Sequence, residues 1–166
     1  VAAAAQSRRN QKQWQPALAL WKQACSLAPE NDDYRIGYIK TLADARMVAV
    51  SSRTAASAEA FAAEHGIERA CGGADGMQRL LADPEVDVVY IATPHGQHHE
   101  HLLASLEAGK HVVCEKAFTM TAAQAREAIE LARERGLFLM EGLWTRTLPL
   151  IREVERIVGD GGIGDV

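Results

Sequence analysis

Val86–Lys116, VDVVYIATPHGQHHEHLLASLEAGKHVVCEK, decides the fold. It reads as an apolar strand over Val86–Ala92, a polar break at Pro94, a helix over His98–Ala108, and a second apolar strand, His111–Cys114. A strand–helix–strand unit of this size joins parallel strands, and open parallel sheets take ligands at the carboxyl ends of their strands. Both polar clusters of the stretch, Thr93-Pro94-His95 and Glu115-Lys116, fall at such ends. Unbroken apolar runs mark strands covered on both faces.

Working outward, Met47–Ser51 is a further buried strand, and Thr54–His65 a helix closed by Gly66. Ala74–Leu81 is a short helix halted before Pro84. Thr121 and Gln124 form a capping-box pattern opening a helix to Arg135, with Gly136 as its stop. Leu137–Glu141 is another strand. Pro149–Val158 is an amphipathic helix with Leu150, Ile151, Val154, Ile157 and Val158 on one side. Such regular alternation is that of an α/β layer fold with a parallel sheet.

The 166 residues, 48% apolar and 24% charged, bound a soluble globular chain of one domain, or one domain with an appendage. A net charge of -4 disfavours nucleic acid and anionic membranes as main partners. No apolar run reaches the roughly 18 residues of a spanning helix. The opening VAAAAQSRRNQKQ has no apolar core behind its charges, so it is no secretory signal. The absence of an initiator Met points to a fragment or trimmed product. Cys25, Cys71 and Cys114 are scattered and form no CxxC, as expected of free thiols in a reducing, cytoplasmic setting. Cys114, inside an apolar strand, reads as a small buried hydrophobe.

Residues 1–46 differ in character. Trp14, Ala17, Leu18, Trp21, Ala24 and Leu27, then Tyr34, Tyr38 and Leu42, recur at helical spacing on either side of LAPEND. This leader resembles a tetratricopeptide-type helical hairpin, although such repeats need about three copies for stability. A plain hairpin packed on its own domain fits equally well. A third alternative makes Tyr34–Ile39 a first strand, but KTLADAR follows it without a glycine.

From Met47 onward the text resembles the nucleotide-binding domain of the Gfo/Idh/MocA oxidoreductases, within the branch that includes dimeric dihydrodiol dehydrogenase. The segments that carry the resemblance are MVAVSSR, AEAFAAEHGI, LLADPEVDVVYIATPH, AGKHVVCEKAF and LFLMEGLWTR. GGIGDV resembles the point where a second, substrate-binding domain begins. The resemblance implies a Rossmann-like domain over 47–166, incomplete at its amino-terminal phosphate-binding unit.

It also implies a cofactor, NADP with NAD as the alternative. Ser51, Ser52 and Arg53 would meet the adenosine ribose, where an acidic residue selects NAD and an Arg admits the 2'-phosphate of NADP. Thr93, Pro94 and His95 would wall the ribose and pyrophosphate, and His98 matches a further family position. Glu115 and Lys116 occupy the reactive place, with Lys116 as proton relay. There Ala117 replaces the usual Pro, a change that loosens the following turn. Glu141, Trp144 and Arg146 would border the nicotinamide; by residue type alone Trp144 and Arg146 are equally a stacked core pair. The run HGQHHEH has one-face His spacings, but clustered His at a helix start is more often capping or solvated, and no metal site is assigned.

No GxGxxG phosphate loop is recognised. Gly72-Gly73-x-x-Gly76 is taken as a turn with no buried strand before it. The expected activity is hydride transfer between nicotinamide and the carbinol of a sugar, polyol or dihydrodiol, in a truncated or incomplete form. A homo-oligomer is compatible with this. The alternative is a non-catalytic interaction module, or a chimeric remnant of such an enzyme.

Overall fold

The structure is a computed structural model that describes residues 46–143, 145 and 148–164. Five strands and five helices alternate: β1 (Ala49–Ser52), α1 (Ala55–His65), β2 (Arg69–Gly72), α2 (Gly76–Ala82), β3 (Val88–Ile91), α3 (His95–Glu107), β4 (His111–Cys114), α4 (Ala122–Glu134), β5 (Leu139–Glu141) and α5 (Pro149–Gly159). All strand pairs are parallel, in two ladders, β1–β2 and β3–β4–β5. In the doubly wound order 3-2-1-4-5-6 these occupy the places 3-2 and 4-5-6. The leader, the hairpin and the Tyr34–Ile39 alternative all lie outside the described residues.

Local chemistry sets the elements. Thr54 caps α1 by accepting from the Ser57 N–H at 3.1 Å, and Gly66 closes it at φ 65°. Thr121 accepts from the Gln124 N–H at 3.3 Å. Gln124 Oε1 reaches back to the Met120 N–H at 3.1 Å, one residue short of a reciprocal box. The apolar strands pair in register, Val89 with Val112 and Ile91 with Cys114. Those four side chains pack with Leu102 and Leu106 of α3 and Ala128 and Ala132 of α4 into one core. Val48, Ala49 and Cys71 lean on the same core, joining the first ladder to it.

Three differences from the sequence expectations bear on the site. β2 stands where no strand was expected. RACG is short, mixed in polarity and half-buried, so it carries no apolar run to betray it. Gly72-Gly73-x-x-Gly76 therefore does begin at the end of a strand, but packing consumes two of its glycines, Gly72 and Gly76. A Cβ on Gly72 would lie 2.3 Å from the Thr54 carbonyl oxygen, and one on Gly76 2.2 Å from that of Cys71. Second, α3 begins at His95 rather than His98, with Gln97 N–H donating to the Pro94 carbonyl oxygen at 2.9 Å. Third, the GxGxxG spacing does occur, at Gly159-Asp160-Gly161-Gly162-Ile163-Gly164. It follows a helix instead of a strand: Gly161 and Gly162 N–H close the end of α5 onto Val158 and Ile157 oxygens. A helix carboxyl end presents carbonyls, the wrong polarity for phosphate.

α5 buries none of its residues and leaves Leu150, Val154 and Ile157 exposed along one stripe. No helix among the described residues is long and apolar enough to cross a membrane.

Candidate functional site

One edge of the fold is held by charge. Arg46, just before β1, pairs with Glu68 and with Glu85 at 3.2 Å. Arg69, opening β2, pairs with Asp83 at 3.0 Å and with Glu85. Lys110, just before β4, donates to the Asp83 carbonyl oxygen at 2.8 Å. The hydrogen bond from Arg69 holds the Glu85 carboxyl below its ordinary range. These residues sit at the amino ends of the strands, and Asp83 and Glu85 lead into β3. The parallel strands therefore start together, and their carboxyl ends share the opposite edge.

That opposite edge holds Ser51 and Ser52 at the end of β1 with Arg53 just after it, Thr93-Pro94-His95 after β3, Glu115-Lys116 after β4, and Glu141 at the end of β5. Ser51 and Ser52 are half-buried and Arg53 is exposed. The Ser52 carbonyl oxygen accepts from Gly73 N–H at 3.2 Å, tying the ends of β1 and β2. Trp144 and Arg146 lie outside the described residues.

The early start of α3 puts His95 and His98 one turn apart on one face, both reaching toward residues 116–117. His95 Nε2 lies 2.9 Å from the Lys116 carbonyl oxygen and 3.3 Å from the Ala117 nitrogen. One ring nitrogen cannot donate to the first and accept from the second at once, so the two contacts belong to different tautomers. The Lys116–Ala117 peptide is cis. His98 is fully buried, with Nδ1 2.9 Å from the Ala117 oxygen and Nε2 2.8 Å from the Thr93 oxygen. It offers no surface to a ligand; what it holds is the protein's own backbone. His99 pairs with Glu127 of α4 at 2.9 Å. His101 Nδ1 lies 3.0 Å from Thr93 Oγ1. The four imidazoles of the run are thus engaged with different partners.

Around Lys116 the acids are committed. The Glu115 carboxylate accepts from Tyr90 Oη at 2.5 Å and from the Lys116 N–H at 3.1 Å. The Tyr90 bond is the main reason the Glu115 carboxyl is held low and the phenol is pushed up to about 12. Glu141 accepts from the Phe118 N–H at 2.8 Å, anchoring the loop that follows Lys116. Burial pushes the Cys114 thiol up to about 12, so it is inert as a nucleophile at neutral pH. Lys116 itself is exposed, with the Glu115 carboxylate as its electrostatic neighbour.

The carboxyl ends of the parallel strands, which carry hydroxyls and two cations here, are the edge where open α/β sheets take their ligands. Residues 32–143 match the model of the oxidoreductase family with an NAD-binding Rossmann fold, the Gfo/Idh/MocA family. The chain belongs to this family. Over 117 residues this oxidoreductase domain is 46% identical to D-xylose 1-dehydrogenase (NADP(+)) of Hypocrea jecorina, which covers 68% of the chain and 30% of that enzyme. It is 44% identical to trans-1,2-dihydrobenzene-1,2-diol dehydrogenase of Oryctolagus cuniculus over 121 residues, 73% of the chain and 36% of the relative. Among solved structures it resembles a 3-ketoreductase from Actinomadura kijaniata in complex with TDP-benzene and NADP. That likeness has a TM-score of 0.62 at 36% identity, over 70% of this chain and 36% of that one. The chain spans about a third of the length of the curated relatives it matches.

Two residues of the oxidoreductase site escaped the sequence reading. Tyr90 looked like one more apolar residue of a buried strand, yet it is 60% exposed on the face opposite the core and bridges to Glu115. Its signal was the alternation Val89-Tyr90-Ile91, which points a phenol away from two buried neighbours. His101 was weighed only as a metal ligand. Its place two turns beyond Thr93 is what sets its ring against that hydroxyl.

Proposed function

We propose that this domain holds NADP(H) along the carboxyl edge of its strands and serves a dehydrogenase acting on the carbinol of a sugar, polyol or dihydrodiol. The observation that carries the reading is the donor set on that edge: two serines at the end of β1 and a guanidinium just after it, a hydroxyl after β3, and an ammonium after β4. Among the described residues no acid pairs with Arg53 to prefer a 2'-hydroxyl, and a planar fork suits a 2'-phosphate. NADP in the names of the fungal relative and of the ketoreductase complex supports the same choice.

In this reading Arg53, with Ser51 and Ser52, holds the adenosine end, while Thr93, Pro94 and His95 wall the ribose. Glu141, Trp144 and Arg146 border the nicotinamide end. When bound, the cofactor supplies or accepts the hydride. Lys116 moves the accompanying proton: its ammonium gives one to the carbonyl oxygen during reduction, and its amine takes one from the hydroxyl during oxidation. Glu115, kept by Tyr90 as a carboxylate, places an anion beside that ammonium. The protein would work in the cytoplasm on a small molecule, with residues 1–46 as a separate leader before the domain at 47–166.

Calorimetry with NADPH and NADH tests this. Arg53→Ala removes a charge-assisted phosphate contact of about 1.5–3 kcal/mol. It should weaken NADPH roughly ten- to hundredfold and leave NADH unchanged. Equal affinities in Arg53→Ala and the parent chain would remove the 2'-phosphate assignment. Lys116→Ala should keep NADPH affinity and lower turnover by about 10²–10⁴.

A further inference from the structure

Among the described residues only two polar side chains are buried in the core, Ser105 and His98. Ser105 has a local explanation, since its Oγ donates to the His101 carbonyl oxygen one turn back at 2.7 Å. His98 has none of that kind. Its two nitrogens face carbonyl oxygens from different loops, Thr93 after β3 at 2.8 Å and Ala117 after β4 at 2.9 Å. Carbonyl oxygens only accept, and a neutral imidazole has one N–H to give. Both contacts are hydrogen bonds only when both nitrogens carry protons. A neutral ring would set a lone pair against one buried carbonyl, a costly arrangement away from water.

We infer that His98 is a positioning residue, a doubly donating clamp that fastens the Thr93 and Ala117 carbonyls together and thereby sets Lys116 on the rim. This rests on the reading of Lys116 as proton relay. His95 grips the same turn from one helical turn earlier, so the Lys116–Ala117 unit is held from α3 at adjacent points. His95, His101 and Glu115 are the titratable groups set against His98. His95 meets it edge-on, with ring centroids 5.4 Å apart and planes at 73°. His101, on the same helix, is itself discouraged from charging by burial. Glu115, from the end of β4, supplies the facing anion.

Amide hydrogen exchange at Ala117 and Phe118 tests the clamp without any cofactor, because those N–H groups are bound only while the turn is set. Protection at both amides should be about tenfold lower in His98→Gln and His98→Asn than in the parent chain, the loss of one charge-assisted bond, with β4 and α4 protected as before. Parent-like protection in both variants, or protection lost evenly across the whole core, would overturn the inference. Should both variants fail to fold, nitrogen NMR of the His98 ring in the parent chain decides. Two protonated nitrogens are expected, and one bare nitrogen refutes the clamp. NADPH titration of the same samples separates the two readings. Exchange that behaves as stated in a parent chain that binds no NADPH would leave the clamp standing and sink the cofactor assignment.

Discussion

Gly72→Ala is expected to damage the fold and the adenosine end of the site together. A Cβ at this position would stand 2.3 Å from the Thr54 oxygen, 2.4 Å from the Ala55 Cα and 2.6 Å from the Ala55 nitrogen. All three are backbone atoms of the first turn of α1, so no side chain can swing aside. Overpacking of this kind costs about 1–3 kcal/mol. Moving Thr54 also strips its cap from Ser57 N–H, a further loss of about 1 kcal/mol. The sum, roughly 2–4 kcal/mol, lowers the melting temperature on the order of 10 °C for a chain of this size. Because Thr54 adjoins Arg53, NADPH affinity should fall as well, with NADH spared.

Two other glycines calibrate that number. Gly73 sits at φ +94° with nothing near its would-be Cβ, so Gly73→Ala costs only the left-handed backbone, about 1–2 kcal/mol. Gly96 lies in α3 with open space around it, and Gly96→Ala should stabilise by about 0.5–1 kcal/mol. Thermal melting of the three variants gives the ranking. A Gly72→Ala chain that melts with the parent, or above Gly73→Ala, would refute the close approach of β2 and α1.

Tyr90 should titrate near pH 12 when tyrosinate absorbance is followed. Glu115→Gln should return it toward the ordinary value of about 10. A folded value above the unfolded one means that this bond stabilises fully below pH of about 10 and is lost as pH rises through about 12. Glu115, held low, contributes with the opposite sign: its share is present above the ordinary glutamate range and disappears on acidification. Leu102→Ala, at a fully buried position between α3 and the sheet, should lose about 2–5 kcal/mol in urea unfolding; a smaller loss would mean that the core there is loosely packed.

Much of this fold was legible because apolar runs and caps both spoke for it. His111–Cys114 has the bounds that its composition suggests, and Thr54, Gly66 and Thr121 all mark real helix ends. β2 was silent because RACG earns its place by pairing with Ala49–Ser52, a long-range contact that no local pattern records. The start of α3 was misread because HGQHHEH has the polarity of a loop, while its backbone is fixed by Pro94 and by what His95 and His98 hold across the strand ends. At the site, residue types pointed to an edge and left the pairings hidden. That Glu115 belongs to Tyr90, Glu141 to the Phe118 amide and His98 to two carbonyls depends on strand register, which the sequence states only as a period.

The two edges of the sheet divide their cations differently, and that division is the physical case for the site. On the amino edge Arg46, Arg69 and Lys110 are matched by Glu68, Asp83, Glu85 and a carbonyl, so their charge is spent within the protein. On the carboxyl edge neither Arg53 nor Lys116 takes part in an ion pair among the described residues, and the nearby acids are held by Tyr90 and by backbone amides. Exposed surface pairs are individually weak, so satisfying the amino edge is mainly a matter of alignment. Leaving two cations open on the other edge of a chain with net charge -4 creates a local attraction for a polyanion. A dinucleotide with a phosphate at one end and a reacting ring at the other fits an edge whose open cations stand at the ends of different strands.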